Sequence, residues 1–240
     1  MSEEEKVAVV VGVGPGLGLS VGHRFAREDY DVALLSRSEQ KLEKYVEDIE
    51  MQGGCRAHAV GCDATDPESV EEAFERVDSE LGAPDVLVYN AGMFEYGGIM
   101  ELDPETFQQC WQANCYGGFL TARQVLPQMA ERGEGTIIFT GATASKRGSA
   151  NFAGLAVGKF GLRALAQSMA REFGPRGVHV AHAVIDGQID TPQNLDAFPD
   201  RKKHTFLDSD EIAEQYWQLH CQDRTTWTLE LDLRPYVEDF

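Results

Sequence analysis

Seven short apolar runs punctuate the chain: VAVVVGVG (7–14), DVALLS (31–36), AHAVGCD (57–63), DVLVYNAG (85–92), TIIFTGA (136–142), VHVAHAVI (178–185) and WTLELDL (227–233). Between them lie longer stretches of helical period, near 17–29, 38–52, 67–81, 104–131, 152–173 and 209–222. Several runs lack the polar alternation of a half-exposed strand, as strands buried on both faces do. Strand alternating with helix requires parallel strands joined by right-handed crossovers. The prediction is therefore an α/β fold, a doubly wound parallel sheet of about seven strands with helices on both faces. Pro67 and Pro104 occupy first-turn positions behind acidic caps, while Gly53, Gly82, Gly133 and Gly174 follow predicted helix ends. No repeat, linker or low-complexity segment intervenes, so residues 1–240 read as one domain. The least regular stretch, 186–208, carries Pro192, Pro199 and a mixed-charge RKKH, and reads as a mobile loop over a site or a plain surface excursion.

The first run leads into GVGPGLG, Gly12 to Gly18, and then into a helix. Glycines at such a junction let the chain turn tightly and let backbone N–H groups approach a pyrophosphate at the helix N-terminus. After the first strand of an alternating chain, this is the context of a Rossmann-type dinucleotide loop rather than of a merely tight turn. The spacing, Gly-x-x-x-Gly-x-Gly, is wider than G-x-G-x-x-G. Here the sequence resembles the short-chain dehydrogenase/reductase family, over nearly its whole length. The family's T-G-x-x-x-G-x-G appears as Val11, Gly12, Gly16 and Gly18, with Pro15 and Leu17 inside it and the threonine lost. Its N-N-A-G appears as Tyr89, Asn90, Ala91 and Gly92, with the first asparagine lost. Asp63, followed by Ala64, matches the aspartate that meets the adenine. Asn114 and Lys159 match the family's helix asparagine and lysine. The P-G-x-[IV]-x-T loop that holds the nicotinamide carboxamide appears as DGQIDT, with Asp186 for proline and Gly187, Ile189 and Thr191 kept.

Cofactor choice has a local argument. An acid at the end of the second strand would accept hydrogen bonds from the ribose 2′-OH of NAD and repel a 2′-phosphate. This chain has Ser36 and Arg37 there, and no acid before Glu39. A guanidinium suits a phosphate dianion through charge-assisted bonds of about 1.5–3 kcal/mol, which predicts NADP(H) over NAD(H).

The resemblance also exposes a loss. In the family a tyrosine, four residues before the lysine, protonates the substrate carbonyl as hydride arrives, and a serine thirteen residues earlier binds the same oxygen. The lysine favours the phenolate and grips the nicotinamide ribose, and the asparagine holds a water that relays protons to the lysine. Here the tyrosine position is Leu155 and the serine position is Ala142. Leucine has no proton to give and alanine no hydrogen bond. Lys159 and Asn114 remain as the candidate catalytic residues. Thr143, Ser145, Tyr96, Tyr116 and Asp186 are the nearby groups weighed as substitutes, each with a plainer structural role open to it. The chain reads as an oxidoreductase with an atypical proton donor, acting on a carbonyl, imine or activated double bond, or as a non-catalytic NADP(H)-binding sensor or interaction protein.

Charge and composition narrow the partners. The balance is 21 basic against 40 acidic residues, a net −19, which repels nucleic acid. It fits a heavily solvated surface or, with 14 arginines to 7 lysines, a salt-rich cytoplasm. No run approaches the ~20 apolar residues of a membrane span, and the acidic MSEEEK opening lacks the basic flank of a signal peptide. Five cysteines without a C-x-x-C pair suit a reducing compartment, so a cytoplasmic location is expected. His179 and His182, three apart in a strand, face opposite sides, so no metal site is expected. The family resemblance further implies a homodimer or homotetramer built on the helices at 104–131 and 152–173, with a small-molecule substrate that the sequence does not identify.

Overall fold

Five successive buried residues, Val7–Val11 (β1), show why the first run becomes a central strand: alternate side chains point to opposite faces, and both faces are covered. The computed structural model describes residues 6–51 and 55–238. Among these, β1, β2 (Asp31–Ser36), β3 (Ala57–Gly61), β4 (Val86–Tyr89), β5 (Gly135–Thr140), β6 (Val178–Ile185) and β7 (Glu230–Leu233) form one parallel sheet. Its order is β3-β2-β1-β4-β5-β6-β7. The order reverses at β1, where the crossovers switch faces and leave a crevice beyond the strand ends.

The two-residue period sorts the core into two layers. Val7, Val9 and Val11 pack with Val70 and Phe74 of α3 (Pro67–Glu80), Leu120 of α5 (Gly117–Arg132) and Leu162 of α6 (Ala153–Phe173). Ala8 and Val10 pack with Phe25 of α1 (Leu17–Ala26), Leu42 and Ile49 of α2 (Glu39–Glu50) and Tyr216 of α8 (Ser209–His220). Each fully buried Val, Leu, Ile or Phe stabilises the fold by about 1.5–3 kcal/mol, which fixes both sheet faces and the strand register.

The expected caps are present at two helices. Asp66 accepts the Glu68 N–H ahead of α3, and Asp103 accepts the Thr106 N–H at 2.9 Å ahead of α4 (Pro104–Trp111). Gly82 and Gly133 take positive φ after α3 and α5. Gly174 does not: the chain continues into a tight turn, Gly174–Arg176, and the left-handed residue is Gly177. Gly53 lies outside the described residues. The predicted helix at 104–131 is divided into α4, a π turn over Gln112–Tyr116, and α5, because one extra residue is accommodated around Asn114. Segment 186–208 is not structureless. It holds α7 (Pro192–Ala197), a short turn at Lys203–Thr205 and a strand-like bridge between Ile189 and Leu207. No helix among the described residues is long and apolar enough to cross a membrane, and no group of three or more His, Cys, Asp or Glu side chains there could hold a metal ion.

Candidate dinucleotide and hydride-transfer site

Because the strands are parallel, β1 to β4 end together, and their C-terminal ends open into a cleft of about 670 Å³. Gly12, Ser36, Arg37, Asp63, Ala64, Asn90, Ala91 and Gly92 all line it, as the sequence predicts. Gly12 has φ +89, and a Cβ there would collide with the backbone of Ala91. The glycine loop and the NAG segment are thereby held in contact, a contact that Asn90 strengthens by donating to Gly12 O at 2.9 Å. A Cβ on Gly16 would lie 2.6 Å from the Thr191 methyl, so Thr191 closes the 186–191 segment against the glycine loop.

These residues fit a dinucleotide. No side chain caps the N-terminus of α1 and no acid sits in its first turn, leaving backbone donors for a pyrophosphate. Asp63 receives Thr65 N–H and hydroxyl on one oxygen, which fixes the carboxylate at the cleft. Arg37 is exposed on the rim with no protein partner among the described residues. Three positions play a different part from a direct contact. Leu17 is 3% exposed and its side chain joins the core beneath α1, leaving only its backbone for a ligand. Pro15 stands exposed on the loop, and Ile189 packs against the core. Gln109 and Gln112 reach the cleft from α4 and the π turn, and neither belongs to a motif that marks it in the sequence.

Lys159 and Asn114 are brought together at the other end. Lys159 is 6% exposed, and its Nζ donates to Thr140 O at 2.8 Å. Asn114 donates to Met93 O at 2.6 Å and Cys110 O at 2.9 Å, while its buried Oδ1 has no partner. A Cβ on Gly92 would lie 2.8 Å from that Oδ1 and 3.6 Å from Lys159 Nζ, so both atoms border one small space. A buried acceptor of this kind calls for a donor such as an ordered water. Burial lowers the Lys159 ammonium to about 8. His182 lies close by on β6 and is 3.6 Å from Glu230, but burial pushes its ring down to about 4, so we read it as a neutral imidazole rather than an ion-pair partner.

The structure gives each of the other candidates contacts of its own. Leu155 stands on α6 one turn before Lys159, and Ala142 follows β5. The Thr143 hydroxyl is committed to Asp186 Oδ1 at 2.5 Å, and Ser145 is buried with its Oγ accepting the Ala142 N–H. Asp186 is buried, accepts from Thr143 and lies 3.8 and 3.7 Å from the guanidinium groups of Arg147 and Arg234. Tyr96 is 62% exposed and its hydroxyl accepts from Asn151, while Tyr116 stacks between Trp111 and Phe119. Trp111, Phe119, Val157 and Phe160 are exposed on the helices where the resemblance implies subunit contacts.

A family model described as short chain dehydrogenase matches residues 6–202. The chain belongs to the short-chain dehydrogenase family. A short-chain dehydrogenase/reductase of Armillaria gallica is 35% identical over 192 residues, which cover 78% of this chain and 72% of the relative. A short-chain dehydrogenase from Rhodopseudomonas palustris superimposes with a TM-score of 0.84 at 36% identity, covering 98% of this chain and all of that one. An alcohol dehydrogenase from the archaeon Thermococcus sibiricus, solved with 5-hydroxy-NADP, gives a TM-score of 0.88 at 28% identity, covering 98% and 99% of the two chains.

Proposed function

We propose that this family member is a cytoplasmic NADP(H)-dependent oxidoreductase that protonates its substrate from Lys159 rather than from a phenol. One observation carries the reading: a buried ammonium and the orphaned Asn114 Oδ1 border the same space, while the side chain one turn earlier is Leu155. Bound NADP(H) supplies the hydride, so the protein must supply one proton to a carbonyl, an imine or an activated double bond. Lys159 has donors to spare beyond its bond to Thr140 O, and its lowered affinity for the proton makes it a usable acid near neutrality. A water on Asn114 Oδ1 would return a proton to the amine. The glycine turn and the N-terminus of α1 would hold the pyrophosphate, Asp63 the adenine end, Thr191 the carboxamide and Lys159 the ribose.

Arg37 supports NADP(H) over NAD(H), as does the Thermococcus sibiricus relative, whose structure holds an NADP derivative. Losing a charge-assisted contact of about 1.5 kcal/mol weakens binding roughly tenfold. Arg37→Ala should raise the Kd for NADPH by about that factor and leave NADH unchanged in a fluorescence titration; equal NADPH binding by both proteins would remove Arg37 from the site.

A second reading, a non-catalytic NADP(H)-binding sensor, is favoured by the two apolar residues where the family reduces carbonyls, Leu155 and Ala142. A fluorescence titration with NADPH, followed by a screen of ketones, imines and enones, separates the two. Oxidation of NADPH by any of these acceptors supports the enzyme; tight binding with no oxidation supports the sensor.

A further inference from the structure

Glu39 is the first acid after β2, two residues beyond Arg37 and at the start of α2. A carboxylate near this rim has two consequences. It offers the acceptor that an unphosphorylated ribose uses, and its charge opposes a 2′-phosphate. Yet Glu39 is not left to either role. Its Oε1 receives Arg76 Nη1 at 2.8 Å, and its Oε2 receives the Gly61 N–H at 3.1 Å. Gly61 pairs with Ser36 across β2 and β3, and the next two residues, Cys62 and Asp63, line the cleft. The carboxylate is therefore pinned immediately beside the adenosine end.

Arg76 itself is held. From α3 its Nε donates to Glu80 Oε1 at 3.0 Å, and Glu80 Oε2 meets His58 Nδ1 at 2.7 Å on β3. The guanidinium thus spans two acids one helix turn and one β-α crossover apart, a geometry suited to its planar fork. We infer that Arg76 is a positioning residue for cofactor choice, clamping Glu39 against Gly61 so that Arg37 meets a 2′-phosphate without a competing carboxylate. The inference rests on the NADP(H) reading and adds to it a residue on α3 that does not line the cleft. Arg76 and Glu39 are each 41% exposed, so solvent screens the pair and the effect is moderate.

The test is the ratio of NADPH to NADH affinity, measured by fluorescence titration on the folded full chain. Arg76→Ala should lower that ratio roughly three- to fivefold, chiefly by weakening NADPH, and Arg76→Gln should do the same if the alanine variant is poorly folded. Arg76→Lys, which keeps the charge but not the fork that spans both acids, should give a ratio between those of wild type and Arg76→Ala. Adding Glu39→Gln to Arg76→Ala should restore it to within about twofold of wild type, because the released charge is gone. A merely structural arginine would weaken both cofactors alike, and an unchanged ratio in Arg76→Ala and Arg76→Gln overturns the clamp while leaving the NADP(H) reading intact. A wild type that binds NADH more tightly, or binds neither cofactor, overturns that reading and the clamp with it.

Discussion

A Leu155→Tyr, Ala142→Ser double variant should reduce a simple ketone such as cyclohexanone with NADPH roughly 10²–10⁴-fold faster than the wild type. The expectation follows from position. Residue 155 lies one helical turn before Lys159 on α6, so side chains at the two sites share a face. A free phenol has a pKa of about 10, too high for efficient donation near neutrality, and the buried Lys159 ammonium would favour its ionised form. Leu155 and Ala142 are both half-buried, so neither substitution replaces a fully buried core side chain. The serine would add a donor to the developing oxyanion. Leu155→Tyr alone should recover most of the gain and Ala142→Ser alone a smaller part, since one added hydrogen bond to the oxygen leaves proton transfer from Lys159 as it was. A double variant that folds and binds NADPH but shows no gain would mean that Lys159 and Asn114 are not poised as described.

Gly12→Ala should be a severe single change at the cleft, costing about 3–5 kcal/mol. Two penalties coincide there. The backbone has φ +89, which an L side chain resists, and the new methyl would enter the backbone of Ala91 rather than a side chain able to move aside. Against a typical total of about 5–15 kcal/mol, this loss should lower Tm by roughly 10 °C or more and separate the glycine loop from Asn90 and Ala91. NADPH binding should fall with it. Gly14→Ala is the control: nothing lies within 4 Å of the added carbon, so its effect on Tm should be small. Equal melting of Gly12→Ala and wild type would show that the close approach of the two segments is not what holds the cleft.

The fold was legible because its signal is repetitive. Runs such as VAVVV are buried at every position, and their spacing by helical stretches leaves little choice but a doubly wound sheet. The cleft residues from Gly12 to Gly92 were legible for a related reason: strand ends and glycines are positional marks in a chain. What sequence did not show is where contacts depend on rotation or on distant partners. The π turn at Gln112–Tyr116 shifts the phase between α4 and α5 and contains the buried Asn114, while Gln109 of α4 and Gln112 line the cleft. Thr143 reaches Asp186 across 43 positions, a pairing that no local pattern encodes. Gly174 does follow the end of α6 at Phe173, but the left-handed turn comes three residues later, at Gly177. Leu17 sits inside the glycine motif, yet its side chain belongs to the core, because α1 must bury one face.

The most direct test is the pH dependence of reduction at saturating NADPH, using an acceptor that the wild type turns over. The proposed donor, Lys159, is held at about 8, and its neighbour His182 is already neutral well below that range. With the ammonium as the acid, the predicted rate is level below about pH 7 and falls tenfold per unit once pH rises beyond about 8. Lys159→Met should abolish the step and leave only a slow, pH-independent rate. A wild-type profile that stays flat from about pH 6 to about pH 10, or one that Lys159→Met reproduces, would contradict the assignment of Lys159 as the proton source.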